Sequence, residues 1–78
     1  MHHDMRPTRD EILALLATRY SNRHTLLPIA EKARQRALEN PRSQFCQDMW
    51  KSASQAVWDN EKHIATLTAT LIELDALN

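Results

Sequence analysis

The chain contains no glycine in 78 residues, and it has only three prolines, one cysteine, two tryptophans, one tyrosine and one phenylalanine. Without glycine there is no G-x-G-x-x-G loop, no Walker A loop and no nucleophile elbow, so the common phosphate-cradling and hydrolase motifs are excluded. The tight primed turns of β-hairpins depend on Gly, Asn or Asp at positive φ, and a chain without glycine is poorly suited to a sheet. The single thiol, Cys46, cannot form an intrachain disulfide, and no Cys/His spacing of the zinc type occurs.

Long apolar runs are also missing. The most hydrophobic stretch, near the C-terminus, is interrupted by Glu73 and Asp75 and falls short of the roughly 20 residues needed to span a bilayer. Met1-His2-His3-Asp4-Met5-Arg6-Pro7 has no apolar segment behind its charge, so no signal peptide is expected and the chain reads as cytoplasmic. Residues 1–7 read as a flexible tail on a single helical domain.

What remains is helical in pattern. Thr8 and Glu11 have capping-box spacing just before Ile12, Leu13, Leu15 and Leu16, which predicts a helix from about residue 8. Continued straight, that helix would bring Arg19 and Arg23 into its apolar stripe, and Pro28 would remove a backbone donor and clash with the preceding turn. The expectation is therefore a kink or break in the first arm, giving segments of about 8–21 and 25–39, with Thr25 capping the second. After Pro41 nothing breaks helix, and a third segment of about 42–77 would be roughly 54 Å long at 1.5 Å per residue. Its broad stripe collects Phe45, Cys46, Met49, Trp50, Ala53, Ala56, Val57, Ile64, Leu67, Leu71 and Leu74 as the candidate core. The fold expectation is all-α: an antiparallel helical hairpin with a kinked or broken first arm, or a three-helix bundle.

Two details of the last helix bear on function. Asn60 falls at the centre of its apolar stripe, where a polar side chain needs a hydrogen-bond partner and can fix register or oligomeric state. A second stripe of Trp58, Ala65, Ala69, Ile72 and Ala76 would suit another chain, or one segment of a three-helix bundle. So small a domain has a marginal core, and without disulfide or metal a homodimer is the expected support. Trp58, Ala65, Ala69, Ile72 and Asn60 are the candidate partner or dimer interface.

Ten basic and ten acidic side chains cancel. Residues 1–42 nevertheless carry eight Lys/Arg against five acids, whereas residues 43–78 carry two against five. Such halves attract when packed antiparallel. Arg19, Arg23, Lys32 and Arg36 are the candidate contacts for an acidic partner or for nucleic acid, although Glu31 and Glu39 interrupt them.

Chemistry is hard to find. The residues three before His24 and His63 are Ser21 and Asn60, so the Glu-x-x-His pattern of di-iron bundles is absent. Asp59 and His63, four apart, read as a helix-face pair. Met1-His2-His3 has the third-position histidine that can bind Cu(II) or Ni(II), an accidental feature of many termini. Cys46 reads as a small apolar core residue. No cofactor, metal or enzymatic activity is expected. The reading is an interaction protein, a small adaptor, chaperone or inhibitor of the kind phages and plasmids encode against host proteins. The alternative is a dimeric nucleic-acid-binding regulator that uses the basic first half.

Overall fold

A computed structural model describes residues 7–77, and the expectations for the tail and for Met1-His2-His3 lie almost wholly outside them. Two long helices, α1 (Arg9–Glu39) and α2 (Gln44–Ala76), pack against each other as a hairpin. The described chain has no strand.

Both helices start on caps the sequence can supply. Thr8 accepts from the Glu11 amide at 3.2 Å, the first bond of the anticipated box, and the Glu11 carboxylate turns back to accept from the Thr8 hydroxyl. Ser43 accepts from the Cys46 amide, so α2 begins two residues later than about 42. Between the helices, Asn40-Pro41-Arg42-Ser43 turns without any positive φ: the Ser43 amide donates to the Asn40 carbonyl at 3.0 Å. Proline in the second place presets the turn, which makes glycine unnecessary. Asn40 closes α1 by donating from both its backbone and its side-chain amide to the Arg36 carbonyl, and Gln47 reaches back to the Ala37 carbonyl at 2.9 Å.

The break expected between residues 21 and 25 does not occur: α1 is one helix of 31 residues that passes through Pro28. Thr25 lies inside it, its hydroxyl donating to the Ser21 carbonyl rather than capping a new helix. The helix survives because the inward stripe continues. Ile12, Leu16, Arg19, Arg23, Leu26, Ala30, Ala33 and Ala37, alternately four and three apart, are all buried or half-buried. On α2 the same alternation runs through Cys46, Trp50, Ala53, Val57, Asn60, Ile64, Leu67, Leu71 and Leu74. A period of 3.5 residues is that of a coiled coil. Pro28 and His24 are both exposed, so the carbonyl that Pro28 deprives of a donor belongs to the water side.

Three contacts set the register: Arg9 to Asp75, Arg23 to Glu61, and Gln47 to the Ala37 carbonyl, whose residue numbers add to 84 in each pair. The two ion pairs join the basic arm to the acidic one, the attraction anticipated from the charge of the two halves. The deepest packing is at the open end, where Ile12, Leu16 and Ile64 are buried against Leu67, Leu71 and Leu74. At the closed end α1 offers mainly alanine, and only Ala37 is buried there.

Phe45 and Met49 do not belong to this core. Phe45 is 72% exposed and Met49 50%, because a stripe of period 3.5 through Cys46 and Trp50 leaves both on its flank. Among the described residues no third helix covers either flank.

Candidate interaction faces

A two-helix hairpin has two broad faces, and here each carries apolar side chains. On the first, Leu13, Tyr20 and Leu27 recur every seven residues along the flank of α1 and are exposed. Trp58, 59% exposed, and Leu27 line one groove with Trp50, Val57, Ala30 and Glu61, so the flank of α1 and the second stripe of α2 share a face. Along α2 that stripe continues through Ala65 and Ala69 to Ile72, which is 64% exposed. The residues singled out for a partner are thus free, with one exception. Asn60 is buried between the two helices, where its side-chain amide donates to the Arg19 carbonyl at 2.9 Å.

Charge on this face is internally balanced. Arg23 makes a two-pronged ion pair with Glu61 at 2.9 and 2.8 Å and lies 4.9 Å from the Tyr20 ring centre. The Glu61 carboxylate, by its hydrogen bonds, raises the Arg23 pKa above its ordinary value. Arg34 grips Glu31 one turn away and holds that carboxyl below its ordinary value. The Glu31 contribution is accordingly present near neutrality and lost as pH falls through the lowered carboxylate value. Lys62 stacks over Trp58, 5.4 Å from the ring centre.

The second face differs. Near the closed end Ile29, Ala33, Phe45, Cys46 and Met49 line a groove of about 250 Å³ whose only charged residues are Lys32 and Arg36. Sequence reasoning placed Phe45, Cys46 and Met49 in a core and Lys32 and Arg36 on a polar surface. Their juxtaposition follows only from the register of the two helices. The four candidate basic contacts are therefore divided: Arg19 and Arg23 lie on the inward stripe, with Arg23 occupied by Glu61, while Lys32 and Arg36 are exposed beside this groove.

Among the described residues no group of three or more His, Cys, Asp or Glu side chains is placed to hold a metal ion. His63 contacts the Asp59 backbone carbonyl at 2.7 Å, within its own helix and at the surface. Cys46 is half-buried, between core and groove. No described helix is long and apolar enough to cross a membrane. Comparison of the chain with protein-family models, with curated proteins and with solved structures found no match.

Proposed function

We propose that this chain is a non-enzymatic interaction module: a small helical adaptor, chaperone or inhibitor that regulates a larger protein and works as a homodimer through the Trp58 face. The observation that carries the reading is an apolar face with nothing laid on it. Leu13, Tyr20 and Leu27 from one helix and Trp58 and Ile72 from the other are exposed on a molecule with few buried side chains. Isolated exposed apolar residues are ordinary, but a set on one face that includes an aromatic anchor, with Leu27 and Trp58 lining one groove, is the composition of a binding surface.

Size supports a second copy. The radius of gyration is 17.4 Å, against about 11.5 Å for a compact domain of this length. The accessible surface is 6419 Å², against about 4,900 Å² for a compact monomer of this mass. The difference, about 1,500 Å² per chain, is roughly twice the ~800 Å² that each partner buries in a standard protein interface.

Capture of partners from the native cell, with and without nuclease, tests the function. A nuclease-resistant protein partner retained by the wild type is expected, and it is lost with Ile72→Asp because the dimer held by the Trp58 face is the form that binds it, with helix content unchanged by circular dichroism. Sub-micromolar, salt-sensitive binding to RNA or DNA at ~150 mM salt would replace this reading with that of a nucleic-acid regulator, since surface charge is largely screened there over a Debye length of about 8 Å.

A further inference from the structure

We infer that the groove at the closed end of the hairpin is the seat of the larger partner, and that the segment it takes is an acidic amphipathic helix. The inference rests on the reading of the chain as a protein-binding module and names the chemistry of what it binds. Three large apolar side chains, Ile29, Phe45 and Met49, reach the groove from both helices and are each at least half exposed. Methionine is an adaptable contact at helix-binding surfaces, and a third helix laid between two others is the simplest way to complete such a groove.

Charge selects the occupant. Lys32 and Arg36 are one turn apart on α1, and the groove is lined by no acid, unlike the Trp58 face, where Glu31 and Glu61 neutralise Arg34 and Arg23. An incoming helix with an apolar stripe and carboxylates on its flank would place its apolar side chains against Ile29, Phe45 and Met49 and its acids against Lys32 and Arg36. A lysine-flanked helix would meet like charge, which disfavours wrong partners. Volume argues the same way. At about 250 Å³ the open groove lies below the 300–1,000 Å³ typical of small-molecule pockets.

The test is a display selection of random amphipathic helical peptides against the full immobilised chain, with the strongest clones resynthesised as labelled peptides. Enrichment of Asp/Glu-flanked helices is expected. Their binding should fall about tenfold or more on Lys32→Glu with Arg36→Glu, and on Met49→Asp, while helix content by circular dichroism is retained. Changing the peptide's acids to lysine should restore binding to the Lys32→Glu, Arg36→Glu variant, which general misfolding would not permit. Neutral or basic winners, no enrichment, or binding indifferent to both variants would overturn the inference. So would labelled RNA or duplex DNA held at ~150 mM salt and released by the Lys32→Glu, Arg36→Glu change. Failure here with continued loss of partner capture by Ile72→Asp would sink the groove and leave the interaction-module reading standing.

Discussion

At the scale of single residues, the middle of the hairpin is polar where a coiled coil is normally apolar. Asn60 donates one hydrogen bond to the Arg19 carbonyl while its side-chain oxygen is buried with no partner among the described atoms. An unpaired buried acceptor costs about 1–3 kcal/mol, and a polar residue at such a position is best understood as fixing register at a cost in stability. Asn60→Leu is therefore expected to raise urea-measured stability by about 1 kcal/mol, because the Arg19 carbonyl lies within α1 and does not depend on Asn60 alone. A loss of similar size would show that the amide is needed for more than alignment. Ile12 is the opposite case, fully buried at the open end. Ile12→Ala should cost about 2–5 kcal/mol, enough to unfold much of a domain this small, and the loss of helical signal on mild heating would report it.

At the scale of elements, α1 crosses Pro28 without a break although an interior proline costs about 3 kcal/mol. The helix tolerates it because the turns on both sides are docked on α2, by Arg23 to Glu61 before it and by the half-buried Leu26 and Ala30 around it. Pro28→Ala is expected to stabilise the hairpin by up to about 3 kcal/mol, read as a higher urea midpoint with an unchanged slope. An unchanged midpoint would mean that residues near 28 are not helical in solution. The same segment shows what could be read in advance and what could not. Thr8, Glu11 and the turn at Pro41 act through neighbours in sequence, and both were legible. Arg23 looked like the end of a stripe because Glu61, which accommodates its guanidinium, lies 38 residues away, and a similar distance in sequence hides the bond from Asn60 to the Arg19 backbone carbonyl. Phe45 and Met49 looked like core because a broad stripe at 100° per residue admits side chains that a 3.5-residue seam leaves on its flank. For the same reason the candidate stripe of Trp58, Ala65, Ala69 and Ile72 was visible in the sequence, whereas the Lys32/Arg36 groove required the register of two helices.

At the scale of the whole molecule, the hairpin is a rod of 58 × 23 × 16 Å whose two helices bury little more than a seam. Both broad faces remain apolar in part, and the proposal assigns one to a second copy and the other to a partner. Charge along the rod favours a two-fold arrangement in which the copies run antiparallel. Residues 30–53, at the closed end, carry five Lys/Arg and three Asp/Glu, whereas residues 7–16 and 67–77, at the open end, carry one and four. Ends of +2 and −3 attract in the antiparallel dimer and repel in the parallel one, so raising salt should weaken the dimer modestly. The central claim is that the Trp58 face is covered by a second chain, and light scattering across micromolar concentrations tests it most directly. The account predicts about twice the 9.1 kDa chain mass for the wild type and a shift toward monomer for Trp58→Glu, which places a charge in the apolar contact; a wild-type monomer at every concentration would contradict it.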